Sequence, residues 1–155
     1  IILNTDTIRL LNNHLQTTSV SQNRKKWERE LATDNTRREA QAVQDAAETL
    51  HENFVKRAFQ TDSICQLATA SPHPVLVCGD FNSLPSSYTY HRLSESLKDG
   101  FKTGGHGYMY TYRYGKRMLR IDYAFHSPEL ECIDYYSPNL DLCSDHNPVI
   151  FTVKY

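Results

Sequence analysis

Val75-Leu76-Val77-Cys78-Gly79-Asp80-Phe81-Asn82 is the stretch on which the reading of the fold turns. Its first four residues form a short, continuous apolar run, the pattern of a strand buried on both faces. Gly79 then opens a polar segment through Asp80, Phe81, Asn82, Ser83, Leu84 and Pro85, which reads as the loop at the strand's C-terminal end. Ser86-Ser87 offers an N-cap for a short helix reaching Ser96. On the other side, Ser71-Pro72-His73-Pro74 stops the helical region before it.

That helical region runs from Thr36 to Phe59. Val43, Ala46, Ala47, Leu50, Phe54 and Ala58 recur at spacings of three and four, which places them on one face. Asp34 or Asn35 supplies the cap. Residues 23–60 read as a long helical excursion, broken near Thr33-Asp34, that covers one face of a sheet. Further upstream, Ile1 to Leu3, the turn Asn4-Thr5-Asp6 and Thr7 to Leu15 read as strand, turn and strand.

Beyond Gly104-Gly105 the pattern changes period. Tyr108, Tyr110, Tyr112 and Tyr114 alternate with Met109, Thr111 and Arg113, which predicts a strand. Gly115-Lys116 is a turn, and Met118 to Phe125 a returning strand. Glu129 to Tyr136 and Pro148 to Tyr155 follow as two more. The mixture is that of an α/β protein, and 155 residues suffice for one compact domain with its own core.

With 17 basic and 18 acidic residues the formal charge is −1, so a partner bearing phosphates would be met by a local basic patch rather than a global field. No apolar run approaches the roughly 20 residues of a membrane span, and no signal-peptide pattern is visible, so no membrane contact is expected within this segment. The chain opens on Ile1-Ile2-Leu3 without a Met, and any targeting or anchoring segment before it lies outside the sequence. Cys65, Cys78, Cys132 and Cys143 show no metal-ligand spacing. Free thiols are expected, with Cys78 a small core residue, and disulfide pairing stays open.

Three acidic segments stand at strand ends. In Gly79-Asp80-Phe81-Asn82, an Asp and an Asn two apart point the same way on an extended loop. The carboxylate can hold a metal or orient water, and the amide can donate to developing negative charge. The same residues equally read as an Asx-turn after a buried strand. In Arg120-Ile121-Asp122-Tyr123-Ala124-Phe125, Ile121, Tyr123 and Phe125 share the core face, so Asp122 faces a cleft or solvent beside Arg120 and Ala124. Its plainer reading is an exposed strand Asp paired with Arg113 or Arg120. In Ser144-Asp145-His146-Asn147-Pro148, adjacent Asp and His serve one site only from a loop or bend, and Pro148 supports that placement. A His held by a carboxylate is poised as a general base, although a loop His with a capping Asp fits as well.

Together, and in this order, the three segments resemble the C-terminal signature of the endonuclease/exonuclease/phosphatase superfamily. That superfamily includes DNase I-like nucleases, exonuclease III-type abasic-site endonucleases, inositol-polyphosphate phosphatases, sphingomyelinases and deadenylases. Asn12-Asn13-His14-Leu15 resembles its NTHL-type element, with Asn13 in place of Thr. The resemblance implies a four-layer α/β sandwich, two mixed and mainly antiparallel sheets face to face with helices outside. Residues 1–155 would form the C-terminal part of a single such domain, truncated at its N-terminus.

By the same resemblance, His14 binds and orients the scissile phosphate, Asp80 positions the attacking water and binds metal, and Asn82 stabilises the transition state. Asp122 holds the imidazole of His146, and Asp145 ligates Mg²⁺ or Mn²⁺, hard cations suited to oxygen ligands. The implied activity is metal-dependent phosphoester, chiefly phosphodiester, hydrolysis. The family's principal metal-ligating Glu and an Asn lie in its N-terminal half, and no QE-type strand precedes Thr7. The fragment alone is therefore expected to bind Mg²⁺ poorly and turn over little, and its sheet edges invite self-association.

The competing reading is a catalytically incomplete or non-catalytic binding domain that keeps the fold. An acyl hydrolase using Ser144 or Ser83 is disfavoured because no GxSxG elbow is present. The substrate is a phosphoester, with nucleic acid among the candidates. Arg24, Lys25, Lys26 and Arg29 flank Trp27, and Arg113, Lys116 and Arg117 flank the tyrosines, as suits single-stranded nucleic acid. Solvated surface charge is the plainer reading of the first cluster, neutralised by Glu28, Glu30 and Glu39, and fits the second as well.

Overall fold

Val75, Leu76 and Val77 are buried, and alternate residues of their strand face two different cores in the computed structural model, which describes residues 1–3, 6–19, 23, 26–29, 32, 36–114, 118–140 and 143–155. The expected turn at Asn4-Thr5, the cap at Asp34 or Asn35 with the break beside it, Arg24, Lys25, Glu30, and the Gly115-Lys116 turn with Arg117 lie outside the described residues.

The elements run β1 (Ile2–Leu3), β2 (Asp6–Thr7), β3 (Arg9–His14), α1 (Thr36–Thr69), β4 (Val75–Asp80), α2 (Tyr88–Ser94), β5 (Lys98–Asp99), α3 (Gly100–Gly104), β6 (Asp122–His126), β7 (Glu131–Tyr136) and β8 (Ile150–Lys154). Two compact units contain them: residues 1–15 with 60–155, and residues 16–59.

In the first unit the sheet order is β3-β4-β6-β5, with β3 parallel to β4 and the remaining pairs antiparallel. Val75, Val77, Tyr123 and Phe125 pack on one face against Ile64, Cys65 and Ala68 of α1 and Tyr90 and Leu93 of α2. On the other face, Cys78 and Ala124 meet Cys132 and Tyr135 of β7 and Phe151 and Val153 of β8, and Leu76 meets Leu130. Two sheets therefore lie face to face with helices outside, as the α/β sandwich requires. Cover on both faces is why β4 needs an unbroken apolar run, each such side chain stabilising by about 1.5–3 kcal/mol.

The strand is longer than its apolar run, because Gly79 and Asp80 continue the ladder and pair with Asn13 and His14. Gly79 has φ +132°, and a Cβ there would lie 1.8 Å from the Asn13 carbonyl oxygen. Only glycine lets β3 and β4 approach at that point. Ser87 caps α2 as expected, its Oγ accepting from Tyr90 N at 3.3 Å, and the helix ends at Ser94 rather than Ser96.

Three expectations are corrected. Residues 108–114 form no extended strand, and Tyr112 makes isolated bridges to Leu119 and His146 instead. The returning strand starts at Asp122, not Met118. Arg120 does not share an exposed face with Asp122. It turns inward and grips Asp99 with Nη1–Oδ1 at 3.2 Å and Nη2–Oδ2 at 2.8 Å, between the rings of Tyr123 and Phe101. A guanidinium tolerates burial when its donors are met, and Tyr90 completes the set with a 2.7 Å hydrogen bond to Asp99.

The helical stripe is also corrected. Within residues 16–59, Val43 and Phe54 are 58% and 55% exposed, while Ala42, Asn53 and Arg57 are buried. Arg57 donates to the Gln16 carbonyl at 2.8 Å, and Asn53 to the Thr18 carbonyl at 3.4 Å, so polar side chains occupy the covered face. All four cysteines are free thiols. Among the described residues no helix is long and apolar enough to cross a membrane.

Candidate active site

Register brings the acidic residues together. His14 pairs with Asp80 across β3–β4, and Asp80 pairs with Asp122 across β4–β6. The three lie in a row along one end of the sheet. The bridge from Tyr112 then delivers His146 to the same place, with the two rings 5.2 Å apart in an edge-to-face arrangement.

Asp80 is the centre of this row. Its Oδ1 accepts from Asn82 N at 2.7 Å, and its Oδ2 accepts from Asn82 Nδ2 at 3.2 Å. That is an Asx-turn, the plainer of the two readings of the segment. Asn82 adopts φ 47°, a left-handed conformation that Asn tolerates better than most residues. Its Nδ2 also reaches the Leu15 carbonyl at 3.1 Å, tying the loop to the end of β3. His14 Nε2 stands 3.6 Å from Asp80 Oδ2, with the His14 side chain 76% exposed and open to a ligand.

Asp122 and His146 form the second half. His146 Nδ1 lies 2.8 Å from Asp122 Oδ2, and its Nε2 lies 3.9 Å from Asp80 Oδ2. With the carboxylate accepting from Nδ1–H, Nε2 keeps its lone pair toward Asp80. Burial raises the Asp122 carboxyl, against the hydrogen bonds from Thr111 and His146 that favour its charged form. Asp122 is thus partnered by His146 and Thr111, with neither Arg113 nor Arg120 taking the role expected for a surface Asp. Arg113 instead donates through Nη1 to the Ser144 carbonyl at 2.9 Å, and Ser144 Oγ accepts from His146 N at 3.1 Å.

Asp145 is placed differently. It is exposed, its carbonyl accepts from Arg113 N at 2.8 Å, and its charge, after burial, helps raise the Tyr112 phenol. The residues whose ligand atoms converge within 4.8 Å of one another are Asp80, Asp122 and His146. They line a cleft of about 430 Å³ that continues between the two sheets past Cys78, Ala124 and Phe151.

Sequence reading missed Thr111 and Tyr112 as parts of this site. Inside an alternating tyrosine segment they carry no signal that separates them from ordinary strand residues.

Comparison with known proteins agrees with the geometry. Residues 14–146 match the Endonuclease/Exonuclease/phosphatase family. No curated protein matches the sequence significantly. Among solved structures, a functionally unknown conserved protein from Enterococcus faecalis shares the fold at TM-score 0.59 and 18% identity, over 65% of this chain and 45% of that one. An endonuclease/exonuclease/phosphatase from Bacteroides vulgatus matches at TM-score 0.54 and 26% identity, over 66% and 44%. A mannosyl-6-phosphatase from Bacteroides thetaiotaomicron matches at TM-score 0.50 and 22% identity, over 67% and 46%. The chain therefore spans just under half the length of these structures. Two facing sheets, the Asp80–Asp122–His146 constellation and the family match lead to one conclusion: the chain belongs to the endonuclease/exonuclease/phosphatase family.

Proposed function

We propose that this chain carries the C-terminal part of a metal-dependent phosphodiesterase site, with His146 as general base. The observation that carries the reading is the Asp122–His146 hydrogen bond of 2.8 Å, which leaves Nε2 facing Asp80 in an open cleft. A base so held takes a proton from the attacking water near neutral pH, and Asp122 stabilises the imidazolium that results. Asp80 orients that water. Asn82, whose Nδ2 is bonded to Asp80 Oδ2 and the Leu15 carbonyl, would give its amide to the charge that develops on phosphorus-bound oxygens by exchanging one of those bonds. His14, exposed at the end of β3, binds the phosphate of the substrate.

Two carboxylates and an imidazole converging within 4.8 Å form an oxygen-rich donor set that suits Mg²⁺ or Mn²⁺. Of that set Asp80 would hold such an ion, with Asp145 as the further ligand that the family resemblance implies. When bound, it would offset negative charge on the non-bridging oxygens.

A second reading is a binding domain that keeps the fold, supported by the chain's coverage of 45% of a matched structure. One experiment separates the two. Hydrolysis of bis(p-nitrophenyl) phosphate in Mg²⁺ or Mn²⁺ should cease with excess chelator and in His146→Ala, with circular dichroism unchanged. Turnover that survives chelation would overturn the metal-dependent reading. Absent turnover with retained binding of a phosphodiester would favour the binding domain.

A further inference from the structure

Thr111 is fully buried and bonds toward both members of the dyad. Its Oγ1 accepts from Ile121 N and from Asp122 N, each at 3.0 Å. Those two bonds use both lone pairs of the hydroxyl and fix the main chain at the entry to β6. The hydroxyl also lowers the Asp122 carboxyl against the effect of its burial. The main chain of the same residue reaches in two further directions. Thr111 N donates to the Leu119 carbonyl at 2.9 Å, on the approach to β6. Its carbonyl accepts from Asn147 N at 2.7 Å, one residue beyond His146.

Asp122 and His146 are 24 positions apart, and their relative placement requires something fixed to both. Thr111 is fixed to both. Its side chain sets the main chain and the carboxylate of Asp122, and its carbonyl sets the loop that carries His146. Tyr112, the next residue, adds its bridge and ring contact to the imidazole. We infer that Thr111 is a positioning residue whose hydroxyl holds Asp122 in line with His146 Nδ1.

Replacing the hydroxyl by a methyl group, as in Thr111→Val, keeps shape and volume but leaves two buried amide donors without an acceptor and one carboxylate contact unmade. The β4–β6 ladder still holds the strand, but its entry loses the two bonds that fix Asp122 toward the imidazole. Loss of an outer partner of this kind costs about 10- to 100-fold in activity. Thr111→Ser keeps the hydroxyl and loses only a methyl group.

This inference rests on the proposed hydrolase reading only for its kinetic arm. The structural arm is the downfield proton NMR resonance of His146 Nδ1–H, assigned by its absence in His146→Ala. In the full chain that resonance should persist in Thr111→Ser and vanish or move upfield in Thr111→Val. In parallel, kcat on bis(p-nitrophenyl) phosphate should fall about 10- to 100-fold in Thr111→Val with KM within about twofold, and return in Thr111→Ser. A wild-type chain too slow to assay would leave the resonance alone to decide on Thr111. An unchanged resonance in a folded Thr111→Val would overturn the inference. If Thr111→Val does not fold, loss of the resonance in a folded Thr111→Ser would overturn it, and retention would support it.

Discussion

His146 Nδ1 and Asp122 Oδ2 stand 2.8 Å apart, and no other side chain competes for the distal face of that imidazole nitrogen among the described contacts. An amide at position 122 would accept the same hydrogen bond without balancing an imidazolium. Asp122→Asn should therefore keep the fold and lower kcat about 10²- to 10⁴-fold, the range in which base catalysis contributes. Steady-state hydrolysis beside far-UV circular dichroism checks this. A variant within a few-fold of wild type would remove His146 from the role of base.

The same carboxyl leaves a mark on stability. Burial raises its folded pKa above the reference value of 3.8. A carboxyl raised in this way contributes stability that is fully present below the unfolded pKa and lost as pH rises through the folded pKa. Urea unfolding of wild type and Asp122→Asn between about pH 3 and pH 7 should show the wild type losing ground to the variant above the reference value, then levelling. A difference that stays flat across that window would contradict the shift.

Gly79→Ala should be severely destabilising. The added Cβ would fall 1.8 Å from the Asn13 carbonyl oxygen, at a φ of +132° that L-residues rarely adopt. The collision is with backbone, so relief requires β3 and β4 to part. We expect a loss of roughly 2–4 kcal/mol in denaturant unfolding. Full stability would show that the two strands separate there without cost.

Asp99→Asn should cost about 3–5 kcal/mol, because Arg120 would remain buried without its counter-charge. Asp99 also accepts from Tyr90 Oη and caps α3 through Phe101 N, so one substitution weakens three contacts. The double replacement Arg120→Met with Asp99→Leu should recover part of that loss, as apolar substitutes often do for buried pairs. Chemical denaturation of Arg120→Met, Asp99→Leu and the double variant forms the cycle that tests it.

The parts of the molecule that were legible in sequence share a physical cause. A buried strand needs an apolar run, and Val75–Cys78 has one. A helix start needs a side-chain acceptor, and Ser87 supplies it. What the alternating tyrosines concealed is that a period of two reports only which side chains share a side. Residues 108–114 are held instead by isolated bridges and scattered bonds, such as Thr111 N to the Leu119 carbonyl at 2.9 Å and Tyr108 Oη to the Met118 carbonyl at 2.6 Å. The long helix misled for a related reason. Spacing grouped Val43 with Phe54, but the covered side was decided by polar partners, including Thr61 Oγ1 bonded to Thr89 Oγ1 at 3.1 Å. The site residues themselves were readable from their order along the chain, whereas Asp122's partners and the inward turn of Arg120 depended on contacts distant in sequence.

The parallel register of β3 on β4 joins residues 66 positions apart throughout, as with Asn12 and Cys78. Such a pairing has no hairpin to nucleate it, and the loop entropy of the intervening segment is spent before any ladder bond is returned. His14 and Asp80 should consequently meet late in refolding, after the local elements α1 and α2. Phosphate-binding competence should lag behind the recovery of helical signal. A nascent or transiently opened chain would then present its helices before His14 and Asp80 have met.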